Sequence, residues 1–120
     1  MRDLTAPELA ALKVMGGRIG NDDLRQQFFT DLEGVTVDEQ ASEGARLIFH
    51  IPGLERGPYK RQDTFRGADR FPVEGTVEDA DGASVEVYIY QVDGRVYELE
   101  TLRPDANPLL KPNWETFKPR

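Results

Sequence analysis

The chain has no cysteine, which removes disulfides, thiolate metal sites and cysteine nucleophiles together. Histidine occurs once, as His50, and serine only as Ser42 and Ser84. A serine nucleophile needs a base beside it and a third group to orient that base. Here the single imidazole stands between Phe49 and Ile51 in an apolar run, and neither serine sits in a G-x-S-x-G turn. Acyl transfer is therefore not expected, and His50 reads as a satisfied structural residue. A zinc site would need His50 and three carboxylates, an uncommon set. No apolar run approaches the roughly 20 residues that span a bilayer. The opening Met1, Arg2, Asp3, Leu4, Thr5, Ala6, Pro7 has no basic stretch leading into an apolar core, so no secretion signal is expected and the cytoplasm is the expected location.

Phosphate loops are missing as well. Gly16, Gly17 and Gly20 cluster, but no Gly-Lys-Ser/Thr follows, so they read as a turn between helices. Asp79, Ala80, Asp81, Gly82 resembles the opening of a calcium loop. Its glycine falls at the fourth position instead of the sixth, and Tyr90 stands where a bidentate glutamate is required. A tight hairpin accounts for it. No cofactor and no metal are expected.

What remains is an acidic chain of 120 residues, 38% hydrophobic and 31% charged, with a formal net charge of -7. The length suits one domain, residues 1–120. The β-branched and aromatic runs at 47–51 and 85–90 can bury enough surface to fold. A negative body repels phosphates and anionic membranes and attracts cationic surfaces over a Debye length of about 8 Å. Neither nucleic acid nor membrane is an expected partner, whereas a basic protein is. Cations gather at 46–70 (Arg46, Arg56, Lys60, Arg61, Arg66, Arg70), and acids dominate 74–105.

The periodicity predicts an α+β fold: two N-terminal helices packed on an antiparallel sheet of about five strands, ending in a three-stranded meander. Thr5 is a good N-cap with Glu8 at the capping-box position, and Asn21 precedes Asp22 and Asp23 at a second helix start. Leu9, Leu12 and Met15, then Leu24, Phe28 and Leu32, recur at helical spacing, placing helices at about 6–33. Strands follow over about 35–103, at 35–39, 46–51, 71–78, 84–92 and 95–102. Residues 52–70 read as a long loop, and the proline-rich 104–120 as an extended tail over the body, anchored by Leu109, Leu110, Trp114 and Phe117.

Asp81 with Gly82 and Asp93 with Gly94 mark two-residue hairpin turns. Two-residue turns would set Tyr90 opposite Tyr97, Tyr88 opposite Leu99 and Val77 opposite Glu86. One face would then carry Val77, Tyr88, Tyr90, Tyr97 and Leu99. The other would interleave Val85, Val87, Ile89 and Val96 with Glu78, Glu98 and Glu100. Helices on the tyrosine face would leave the aliphatic–glutamate face for a partner, with apolar contact supplying affinity and the acids specificity. The tail folding over that face is the other arrangement the pattern allows.

Residues 77–111, VEDADGASVEVYIYQVDGRVYELETLRPDANPLLK, resemble a family of small bacterial domains of unknown function. Its members end in a meander with a D-x-DG turn, a second DG or EG turn, an aromatic-E-L-(D/E) strand and a D-x-x-P-L segment. The opening Leu4, Thr5, Ala6, Pro7, Glu8, Leu9 is similar to that family's start. These motifs imply a fold and no active site. More loosely, the size, acidity and layout resemble immunity proteins of bacterial polymorphic-toxin and contact-dependent systems, which implies binding to a cognate toxin domain and blocking its active site.

The expectation is thus a protein-binding module, an antitoxin-like inhibitor of a basic toxin or enzyme domain such as a nuclease. Its contact residues would be Glu78, Glu86, Glu98, Glu100, Val87 and Ile89. Two other readings stay open: a small-molecule site or minor carboxylate enzyme near the 52–70 loop, using His50, Tyr59 and Arg61, and a homo-oligomeric structural protein.

Overall fold

The computed structural model describes residues 1–40, 45–55 and 69–120. Ser42, Tyr59, Arg61 and most of the predicted 52–70 loop lie outside them.

Thr5 opens helix α1 (Ala6–Gly16) with the predicted capping box: its hydroxyl accepts from the Glu8 N–H, and the Glu8 carboxylate accepts from the Thr5 N–H at 2.8 Å. Asn21 caps α2 (Asp22–Leu32), its side chain accepting from the Leu24 N–H at 2.9 Å. Leu12, Met15, Phe28 and Leu32 are buried on the facing sides. The two helices approach closely because Gly16 has no side chain; a Cβ there would lie 2.6 Å from the Phe28 ring.

The sheet has seven antiparallel strands and is curled, two more strands than predicted. They are β1 (Arg2–Asp3), β2 (Thr36–Gln40), β3 (Arg46–His50), β4 (Asp69–Glu78), β5 (Ser84–Val92), β6 (Arg95–Leu102) and β7 (Asn113–Pro119), in the order β1-β2-β3-β6-β5-β4-β7. The additional strands come from the ends of the described chain. Arg2 and Asp3 pair with Val37 and Thr36, and the second half of the proline-rich tail pairs along β4. The tail was expected only to lie over the body; its prolines bracket a strand because an edge strand needs donors on one side only. The meander β4–β5–β6 is present, but it sits inside the sheet, with β7 following it. Asp69 and Arg70 belong to β4 and not to a loop.

The predicted register holds at one hairpin and fails at the other. Asp93 and Gly94 have φ of 53° and 77°, and Val92 pairs with Arg95, as a two-residue turn requires. At the first hairpin the Asp79 N–H donates to Ala83, Gly82 donates back to Asp79, and Gly82 has φ 83°. This is a three-residue loop with glycine in the left-handed position. It sets Val77 opposite Val85 and Thr76 opposite Glu86. A second irregularity between Tyr90 and Gln91 sets Tyr90 opposite Glu98 and Ile89 opposite Leu99, instead of Tyr90 opposite Tyr97. Each extra residue on one strand moves the following side chains to the other face.

The predicted faces are therefore recombined. Val85, Val87, Ile89 and Leu99 share the inner face with Val37, Leu47, Phe49, Phe71, Val73 and Val77, in one cluster with both helices. Leu109, Trp114 and Phe117 are half-buried against this cluster, as tail anchors should be, whereas Leu110, also predicted to anchor the tail, is exposed. The ring of Phe117 lies on Gly75, where any Cβ would meet it. Asp31 on α2, 1% exposed, ties the helix layer to the β5–β6 hairpin. It accepts from Arg95 Nε at 3.0 Å and Nη2 at 2.7 Å and from the Val96 N–H.

Candidate functional site

The outer face of the sheet, opposite the helices, collects the polar residues of the central strands. Cross-strand pairing places Glu78 beside Ser84, Thr76 beside Glu86, Glu74 beside Tyr88 and Arg70 beside Tyr90. It continues with Glu86 beside Leu102, Tyr88 beside Glu100 and Tyr90 beside Glu98, then Arg46 beside Glu100 and Ile48 beside Glu98. The four glutamates selected from the sequence, Glu78, Glu86, Glu98 and Glu100, thus share one face. Their neighbours are not the ones predicted. Val87 and Ile89 are fully buried in the core, and Tyr88, itself buried, and the half-buried Tyr90 stand among the glutamates in their place.

The tyrosines organise the acids. Tyr88 Oη donates to Glu86 at 2.5 Å and Tyr90 Oη to Glu100 at 3.0 Å. Hydrogen bonding to Tyr88, with Arg120 nearby, holds the Glu86 carboxyl below its usual range, and the same carboxylate raises the Tyr88 phenol. Burial, reinforced by Glu100, pushes Tyr90 up to about 12, so this hydroxyl remains a donor across the neutral range. Cations close the array. Arg120 Nη2 reaches Glu74 at 2.5 Å, the Arg70 guanidinium lies 4.3 Å from the centre of the Tyr88 ring, and Arg46 Nη1 stands 3.9 Å from Glu98. Glu98 is itself buried at 1% exposure and Glu86 and Glu100 are half-buried, whereas Glu78 is exposed and Leu102 is 48% exposed at the rim. The face is consequently a mixed-charge, aromatic surface and not a uniformly acidic one. Arg46, Arg70 and Arg120 are far apart in sequence, and the strand pairing brings them together on this side.

His50 lies at the end of β3, 2.8 Å from Asp38 across the β2–β3 pair. The hydrogen bond from His50, together with the N-terminal amine, lowers the Asp38 carboxyl. His50 is thus partnered, though on the solvent side. The small-molecule reading grouped it with Tyr59 and Arg61, which lie outside the described residues.

The family-like motif has a concrete structural role. Arg103 is buried, and its guanidinium donates to Asp79 at 3.0 Å, Asp81 at 2.9 Å and Asp105 at 2.5 Å. Asp79, with a fully buried side chain, also accepts from the N–H groups of Ala80, Leu110 and Lys111. The D-x-D of the first hairpin and the R-P-D-x-x-P-L of the tail therefore form one staple, which holds the chain at the point where it turns towards β7. Burial raises the Asp79 carboxyl, but the three amides and Arg103 together bring it below its usual value. Arg103 and the Asn107 N–H hold Asp105 far below the carboxylate range. The oxygens a calcium ion would need are occupied by these donors. No cluster of three potential metal-ligating side chains occurs among the described residues, and no described helix is long and apolar enough to cross a membrane.

Comparisons of the chain with protein-family models, with curated proteins and with solved structures find no match.

Proposed function

We propose that the chain is a protein-binding module whose contact surface is the outer face of the sheet, and that it acts as an immunity-type inhibitor of a cationic toxin or enzyme domain. One observation carries the reading. Glu78, Glu86, Glu98 and Glu100 lie on a single face with Tyr88, Tyr90 and the exposed Leu102, on the side that neither helix covers. Tyr90, partly exposed, combines a large apolar body with a hydroxyl and loses little freedom on binding, which suits a contact surface, whereas the buried Tyr88 supports that surface from beneath. The exposed Glu78 and the partly exposed Glu86 and Glu100 can meet a partner's cations, and the chain's net charge of -7 favours encounter with a basic body. Arg46 stands against Glu98, Arg120 pairs with Glu74 and Glu86, and Arg70 lies over Tyr88, so that Glu78 and Leu102 become the contacts to test first.

The test is affinity capture of the tagged chain from its native host at low and high salt, beside the variant Glu78→Lys with Leu102→Asp. One stoichiometric basic partner is expected, released as salt rises. The variant, folded by circular dichroism, should bind it at least about tenfold more weakly, the loss of one interface anchor. Undiminished recovery by the variant would place the contact elsewhere on the molecule. An association rate unchanged by salt would remove the electrostatic part of the reading.

A further inference from the structure

The helix-bearing side of the molecule contains a cleft of about 360 Å³ that the outer face does not touch. It forms where the two ends of the curled sheet approach each other across the start of α1. Arg2 of β1 and Glu39 of β2 line one side, Trp114 and Glu115 of β7 the other, with Glu8 and Lys111 between them. We propose that this cleft binds an extended segment of a partner protein carrying an arginine or lysine side chain, with the cation against Trp114 between Glu39 and Glu115.

Three observations support this occupant. First, the floor is built in advance. Glu8, 5% exposed, accepts from both terminal nitrogens of Arg2 at 2.8 and 2.9 Å and from the Thr5 N–H, and Arg2 Nε donates to Glu39 at 2.8 Å. A rigid floor lowers the ordering cost of binding. Second, the charge is unbalanced in favour of a cation. Three carboxylates line the cleft against two cations, and Arg2 is already committed to Glu8 and Glu39. Glu115 makes no ion pair with a described residue, and only Lys111 opposes it. The half-buried indole adds a face on which a guanidinium or ammonium is held. Third, the cleft lies along β7 at one end of the strand order, so one side of the β7 backbone has no strand partner among the described residues. An extended segment can bond to that edge while its side chains enter the groove.

Trp114 is the only tryptophan in the chain, so its emission reports the cleft directly. The full chain is titrated with a blocked tripeptide with a central arginine, and with the citrulline counterpart of the same shape and no charge. A saturable change in emission is expected, with the arginine peptide roughly three- to fivefold tighter, the size of one exposed ion pair with a cation–π contact. Glu39→Gln with Glu115→Gln should abolish that preference while retaining the circular dichroism of the parent. Should the double variant not fold, Glu115→Gln alone, at an exposed position, must reduce the preference. No saturable change, equal response to the two peptides, or a preference that survives the substitutions would each overturn the proposal. None of these outcomes bears on the outer face, which the Glu78 and Leu102 variants address separately.

Discussion

The Asp79 carboxylate takes hydrogen bonds from three backbone amides and one guanidinium while wholly shielded from water. Asp79→Ala would leave the Leu110 and Lys111 amides without their acceptor and the buried Arg103 with two carboxylates instead of three. Breaking a buried charge pair by removing one partner is strongly destabilising, because the remaining charge stays desolvated. A loss of about 3–5 kcal/mol is expected for Asp79→Ala in urea unfolding. A loss of under about 1 kcal/mol would mean that the staple contributes little. Asp81, at the same turn but exposed, shares Arg103 with Asp79 and Asp105, and its removal is expected to cost far less.

Among the elements, β7 packs against β4 through a contact that only a glycine allows. Gly75 gives the Phe117 ring its place; an added Cβ would come within 2.6 Å of that ring and 3.1 Å of the Lys118 carbonyl. Gly75→Ala should therefore push β7 away from β4, costing about 1–3 kcal/mol as overpacking does. Faster hydrogen exchange is expected along β4 and β7, while α2 and β6 stay protected. Gly75→Ala with Phe117→Leu should recover part of the loss; if the double variant is as unstable as the two single ones summed, the clash is not between these residues. The helices were readable from the sequence because capping is local: Thr5 with Glu8, and Asn21, act within one turn. The Asp93–Gly94 hairpin was readable for the same reason. The first hairpin was not, since Asp81–Gly82 suits a two-residue turn and a three-residue loop alike, and only the pairing of β4 with β5 selects between them. That one residue, with the irregularity at Tyr90, moved Val87 and Ile89 from the predicted contact surface into the core and placed Tyr88 and Tyr90 on the outer face, Tyr88 buried there and Tyr90 partly exposed. The four glutamates kept a common face, though with different companions. Strands β1 and β7 were missed because each is held by a distant partner, and neither Arg2–Asp3 nor a proline-flanked tail shows an alternating pattern of its own.

For the molecule as a whole, acid is the condition that should unfold it. Asp38, Asp79, Asp81, Asp105, Glu8 and Glu86 all have folded-state pKa values below their ordinary ones. Such groups stabilise the fold fully above the unfolded carboxylate range, about 4, and lose that contribution as pH falls through the lower folded values. The melting temperature should be level from pH 7 to about 5 and fall steeply below about 4. A fall already complete by pH 5 would contradict this account.

The order of the strands also has a consequence for how the chain is made. Among the described residues, strands β1–β3 pair with the rest of the sheet where β3 meets β6, through Arg46 with Glu100, Leu47 with Leu99 and Ile48 with Glu98. During synthesis, β3 leaves the ribosome long before β6 exists, and the outer edge of β4 then waits for β7, the last strand to be made. An unsealed edge is a template for pairing with another chain, and partly made chains expose such edges for longest when their partners are distant in sequence. The nascent protein therefore carries an open β3 edge until β6 emerges and an open β4 edge until β7 does, and chains stalled or truncated before β7 are the species from which aggregation should start.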